Sequence, residues 1–356
     1  MSRFMSEKYN TLEAYTPGEQ PKNQKYIKLN TNESPFEPSQ GVYNAVLAES
    51  HNLQLYSDPE CRELNIKAAE FFGVEPDQIL MTNGSDEILN FAFMAFGDER
   101  HPFAFPAITY GFYSVFAEVN RIPYKTIPLK PDFSVDVKDY EDIGMNIVIA
   151  NPNAPTGLAL SAKQIERIIS SNPDNVVVID EAYVDFGGES CISLVNKYDN
   201  LLITRTFSKS YSLAGARLGF GIGSKALIAD LNTIKYSTNP YNINRMTMAA
   251  GIAALNEFDY YRDNCDTIIN NRDFTKQKLI EMGFTVTDSK ANFLFAEHKA
   301  LDGKELYIKL KERGILIRHF DIPKISNYNR ITIGTKEQME TLIDTVKTII
   351  KEGVTG

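Results

Sequence analysis

The stretch Asn175-Val176-Val177-Val178-Ile179-Asp180-Glu181-Ala182-Tyr183 decides the fold. Four consecutive aliphatic residues leave a strand no polar face, so it must be buried on both sides, as in a parallel sheet covered by helices. The run stops abruptly at two carboxylates and a tyrosine. The carboxyl end of such a strand is where open α/β sheets place their ligands.

Working outward, the same punctuation recurs. Short apolar runs at 78–82, near Phe103, and at 121–127, 146–150, 201–206 and 218–222 read as strands. Helical patterns lie between them: 61–72, closed by Gly73, then from Ser85, from Tyr110, and over 161–171. In the last, Ser161 and Gln164 have the capping-box form, and Ile165, Ile168 and Ile169 make one apolar face. Strands alternating with amphipathic helices predict an α/β fold, a large domain whose mostly parallel sheet is covered by helices. After a long helical stretch, 242–281, the rhythm changes to strand 292–296, helix 303–313, strands 315–319 and 330–334, and a final helix. There Met339, Leu342, Ile343, Val346, Ile349 and Ile350 form one stripe behind a Thr335/Gln338 capping pair. This predicts a smaller α+β domain. The first forty residues, punctuated by Pro17-Gly18, Pro21, Pro35 and Pro38, read as an extended arm. The expected division is a large domain at 36–255 and a small one built from 1–35 and 256–356.

The 356 residues are 43% hydrophobic and 23% charged, ordinary for a globular chain with a sizeable core. No apolar run approaches the roughly 20 residues of a membrane span, and the first ten residues lack a secretory pattern. A net charge of -9 argues against nucleic acid and anionic membranes as partners. Any anion must therefore be held by a local pocket. Cys61, Cys191 and Cys265 lie far apart in no ligand spacing, and the four histidines are scattered. Reduced thiols, a cytoplasmic location and no metal site are expected.

Four groups at strand ends could carry chemistry. Asn83-Gly84-Ser85-Asp86-Glu87 opens a helix, where free backbone N–H groups attract an anion. Asn151-Pro152-Asn153-Ala154-Pro155-Thr156-Gly157 follows a strand and presents an amide from a stiff loop. Asp180 with Tyr183 offers a carboxylate for a buried cation and a phenol for a nearby oxygen. Thr206-Phe207-Ser208-Lys209 sets an amine among hydroxyls, with Arg217 shortly after. Taken singly these are a helix cap, a turn, an acidic loop and a surface lysine. Taken together they are what pyridoxal phosphate requires: an anion cradle, a carboxylate for the pyridine nitrogen, donors for the ring oxygen and an amine for the aldehyde.

This set resembles the fold type I, class II aminotransferases, and within them the histidinol-phosphate family. The resemblance covers nearly the whole chain. It takes in Tyr15-Thr16-Pro17-Gly18, Lys28-Leu29-Asn30-Thr31-Asn32-Glu33-Ser34-Pro35, Leu55-Tyr56-Ser57-Asp58-Pro59 and Thr109-Tyr110-Gly111. The four groups above, Arg217-Leu218-Gly219 and Arg330-Ile331-Thr332-Ile333-Gly334-Thr335 complete it. It implies pyridoxal 5'-phosphate as cofactor, with Lys209 binding its aldehyde and moving the proton, Asp180 pairing with the ring nitrogen, and Tyr183 donating to the ring oxygen. Gly84, Ser85, Asp86, Thr206, Ser208 and Arg217 would hold the phosphate, joined by Tyr56 from a second copy in a homodimer, while Tyr110 stacks on the ring. Arg330, helped by Tyr15, Asn32 and Arg318, would grip the substrate's carboxylate or phosphate. One departure stands out: the family has Asn immediately before Pro-Thr-Gly, where this chain has Ala154, so Asn153 is the expected substitute donor.

The implied reaction is transamination between L-glutamate and imidazole-acetol phosphate. An aromatic or broad-range aminotransferase and a phosphothreonine decarboxylase are the alternatives on similar motifs. A sensing module would add a basic DNA-binding domain, and Gly219-Phe220-Gly221-Ile222-Gly223 lacks the spacing of a dinucleotide fingerprint.

Overall fold

The computed structural model describes residues 2–10, 12, 18–20 and 24–354. Its largest sheet has seven strands, in the order Ile79–Thr82, Gly219–Gly223, Leu201–Thr206, Val177–Asp180, Asn146–Ala150, Phe103–Pro106, Tyr124–Ile127. Neighbours are parallel except at Gly219–Gly223, which runs antiparallel to both strands beside it. The central strand is buried on both faces, as its sequence requires. Val177 and Ile179 enter one core with Ile147, Ile149 and Ile203, whereas Val178 enters another with Val148 and Leu202. Successive side chains point to opposite faces, so each face must be covered. Helices Ser85–Phe96, Phe112–Asn120 and Lys225–Thr238 cover one; Arg62–Phe72, Ala162–Ser171 and Arg245–Asn256 cover the other.

A second body is built on a four-stranded antiparallel sheet ordered Arg318–His319, Asn329–Thr332, Phe293–His298, Phe284–Val286. Helix Lys336–Val354 lays Met339, Leu342, Val346 and Ile349 into its core, and Thr335 and Gln338 cap each other reciprocally. Leu29 belongs to this core as well, because Ile27–Lys28 pairs in parallel with Ile315–Leu316. Helix Phe258–Glu281 serves both bodies: Tyr261 packs in the large core, and Cys265, Ile268 and Leu279 pack in the small one.

Two local expectations need correction. The stretch 242–281 is two helices, broken at Glu257, whose carboxylate accepts from the Gly41 backbone N–H at 3.1 Å. The strand expected at 315–319 is two short strands in different sheets. Helices Gln40–Ser50 and Lys225–Thr238 were not anticipated; the first buries only Val42, whereas the second buries Leu227, Ile228 and Leu231. No described helix is long and apolar enough to cross a membrane.

Candidate active site

The carboxyl ends of three neighbouring strands and the start of one helix meet at a cavity of about 270 Å³. Of the residues expected there, Ser85, Asp86, Tyr110, Asp180, Tyr183, Thr206, Ser208, Lys209 and Arg217 line it. Thr31, Glu33, Ala150, Ala154, Ala182 and Ala214 complete the wall.

One end is made for an anion. Gly84 caps the helix Ser85–Phe96 with φ 79°, and a Cβ there would sit 2.4 Å from a guanidinium nitrogen of Arg217. Gly219 is equally constrained: a Cβ would lie 2.3 Å from the backbone nitrogen of Ser85. Glycine at both positions lets the helix N-terminus and the arginine close on one point. The acidic pair that follows is neutralised by donors. Glu87 turns back to accept from the Asn83 N–H at 2.7 Å, while Asp86 accepts from the Tyr110 hydroxyl at 2.7 Å and from Arg217 at 3.2 Å. Arg217 also reaches the Ser208 hydroxyl at 3.5 Å, and Thr206 and Ser208 hydrogen-bond each other.

Asp180 is buried at the sheet's centre. One carboxylate oxygen accepts from the Tyr113 hydroxyl at 2.8 Å; the other accepts from Thr204 at 3.2 Å and the Ala182 N–H at 3.2 Å. Burial pushes its carboxyl up to about 6, against the pull of those hydrogen bonds. Such an acid, held next to a cavity, is poised to ionise against a cation placed beside it. Lys209 stands nearby with its Nζ donating to the Thr31 carbonyl at 3.3 Å and lying 5.9 Å from the Tyr183 ring centre. Burial acts to raise Glu33, but the Lys28 ammonium and the Thr31 hydroxyl outweigh it and hold that carboxyl below its ordinary range.

The remaining expected residues lie off the cavity wall. Arg318 and Arg330 face each other across paired strands of the smaller sheet. Arg330 is flanked by Phe293 at 5.4 Å and Phe320 at 5.8 Å, and donates to the Asn30 carbonyl at 2.8 Å. Asn32 is buried beside Tyr183 and Thr332. Tyr56 is 81% exposed and stacks on Tyr241, 4.8 Å between ring centres. Asn153 does not reach the cavity. Its amide donates to the Ile108 carbonyl at 3.0 Å and to Thr156 at 3.1 Å, and accepts from Thr109 at 2.7 Å, which locks the loop and leaves Ala154 facing inward. Tyr15 lies outside the described residues.

Sequence reading missed Tyr113 and Thr204, the partners of Asp180, although Tyr113 follows Tyr110 by one helical turn. It also missed a buried charge cluster behind Lys209. There Arg205 pairs with Asp185 and, at 3.6 Å, with Glu181, while Ser210 donates to Asp185 at 2.6 Å. Alternation along 201–206 was the available signal, since an arginine inside a fully buried strand must be paired.

The cavity and fold define a class, and comparison agrees. Residues 24–346 match the family described as aminotransferase class I and II, and the chain belongs to that family. A histidinol-phosphate aminotransferase from Brachyspira hyodysenteriae is 50% identical over 353 residues, 99% of this chain and 100% of its own. One from Acinetobacter baumannii is 46% identical over 349 residues, 97% of each chain. The structure of histidinol-phosphate aminotransferase from Sinorhizobium meliloti in complex with pyridoxal-5'-phosphate superposes with a TM-score of 0.84 at 23% identity, covering 92% of both chains.

Proposed function

We infer that this chain is a pyridoxal-phosphate-dependent aminotransferase of L-histidine biosynthesis. It moves an amino group between L-glutamate and imidazole-acetol phosphate, giving L-histidinol phosphate and 2-oxoglutarate. The observation that carries the reading is one cavity holding an amine, a buried carboxylate with a raised pKa, and a helix start beside an arginine. These residues fit the cofactor: Ser85, Thr206, Ser208 and Arg217 suit its phosphate, Asp180 its ring nitrogen and Lys209 its aldehyde. When bound, the cofactor supplies that aldehyde and an electron-withdrawing ring.

The chain's own residues do the rest. Lys209 acts as nucleophile and carries the proton on and off the substrate carbon. Asp180, ionised by the adjacent ring cation, keeps the ring protonated. Arg330 and Arg318 take the anionic end of either substrate, because a guanidinium binds carboxylate and phosphate alike.

A homodimer is part of this reading, as is the division into 36–255 and the flanking segments. Tyr43, Leu47, Leu53, Leu55, Tyr56 and Tyr241 leave a run of apolar side chains exposed beside an apolar groove that reaches Arg217. A second copy would cover them and bring its own Tyr56 to the site.

The reaction is tested by adding single amino donors to the cofactor-loaded protein and following its visible band. Histidinol phosphate and glutamate are expected to discharge it. Faster discharge by phenylalanine, or carbon dioxide released from phosphothreonine, would overturn the assignment.

A further inference from the structure

Asn32 is held unusually firmly. It sits in the left-handed region at φ 56° and is 1% exposed. Its backbone N–H donates to the Thr332 hydroxyl at 3.0 Å, and that hydroxyl donates back to the Asn32 side-chain oxygen at 2.9 Å. Asn292 fixes the Asn32 carbonyl at 3.0 Å. Thr332 thus accepts from the backbone N–H and gives its proton to the amide oxygen. With its oxygen on Thr332, the amide turns its NH₂ to the Tyr183 hydroxyl, 2.9 Å away. Tyr183 is therefore an acceptor from Asn32. Among the described residues this is its hydroxyl's only protein hydrogen bond, so its own proton is turned toward the cavity that Tyr183 lines.

The Asn-Pro loop offers no help. Ala154 is apolar, and the Asn153 amide is fully engaged in its loop. We propose that Asn32 is a positioning residue: it aims the Tyr183 O–H into the cavity, making that phenol the one side-chain donor for the cofactor's ring oxygen. This rests on the cofactor assignment above. A donor aimed at that oxygen lowers the pH at which the bound cofactor titrates, because it shares the oxygen's negative charge.

The test is a pH titration of the visible band in holoenzyme carrying Asn32→Ala, Tyr183→Phe, both, or Thr332→Val. Asn32→Ala is expected to raise the midpoint by about half a pH unit, less than a full hydrogen bond to a charged oxygen. Thr332→Val should move it the same way by less. In the Tyr183→Phe background, Asn32→Ala should add nothing. An unmoved midpoint in Asn32→Ala, or an equal shift with and without the Tyr183 hydroxyl, overturns the proposal. If Asn32→Ala does not fold, Thr332→Val with and without Tyr183→Phe decides it by the same rule. Absence of a visible band in the unaltered protein would instead overturn the cofactor assignment.

Discussion

Asp180, Thr206 and Arg217 stand at or just beyond strand ends of a seven-stranded sheet, whereas Arg318 and Arg330 face each other across two short antiparallel strands of a four-stranded one. The first group is held by hydrogen bonds, buried ones from Tyr113 and Thr204 to Asp180 and more exposed ones from Arg217 to Ser208 and Asp86. The second is held by aromatic faces and a backbone carbonyl. Rigid polar networks suit a permanent guest whose atoms must be placed to a fraction of an ångström. Aromatic packing aligns a guanidinium through its faces, which suits an anion that comes and goes.

If that division is right, substitutions on the two sides should fail differently. Arg330→Ala should lower kcat/KM for both amino donors by about 10²–10³-fold, the scale of losing one charged hydrogen-bonding partner. The cofactor's absorbance titration should stay where it is. A displaced titration would break the division.

Asp180→Asn should act through the cofactor side alone, with an effect on apoprotein stability on the order of 2 kcal/mol. The sign follows from the raised pKa. Folded Asp180 titrates near 6, above the usual 3.8, so the native state holds a proton that the unfolded state releases between those values. Apoprotein stability from this group is present at low pH and is lost as pH rises through about 6. Asparagine carries no such cost, so the variant apoprotein should melt higher at pH 7 while turnover collapses. By the same linkage, cofactor affinity of the unaltered apoprotein should weaken as pH falls below about 6, measured by equilibrium titration. A variant apoprotein that melts lower at pH 7 would contradict the burial argument.

The smallest effect separates a lining residue from a loop brace. Asn153→Ala should cost about 1–2 kcal/mol in thermal unfolding, from hydrogen bonds lost in a buried loop. It should leave the holoenzyme titration midpoint in place. A shifted midpoint would restore Asn153 as a donor to the cofactor.

The large sheet was legible because its strands are apolar on both faces, a pattern that few other structures produce; 146–150 and 201–206 match residue for residue. Surface helices were not. Gln40–Ser50 buries a single side chain, so it has no period to read. The run Ile315-Leu316-Ile317-Arg318-His319 is continuous in sequence but changes sheets midway, which periodicity cannot detect. In the site, strand-end motifs located eight lining residues, and the family resemblance added Tyr110. Tyr113 and Thr204, the partners of Asp180, were hidden, and the contacts of Asn32 with Tyr183 and Thr332 form only through tertiary packing. Asn153 and Ala154 show the limit: neighbours in a loop differ in direction, and sequence does not tell which one faces in.

Lys209, which lines one cavity with Asp180, is proposed to hold the cofactor. Borohydride reduction of the yellow holoprotein, followed by mass spectrometry of its peptides, tests it most directly. The phosphopyridoxyl group is expected on Lys209 alone. A label on another lysine, or none in a protein that retains its colour, would contradict it.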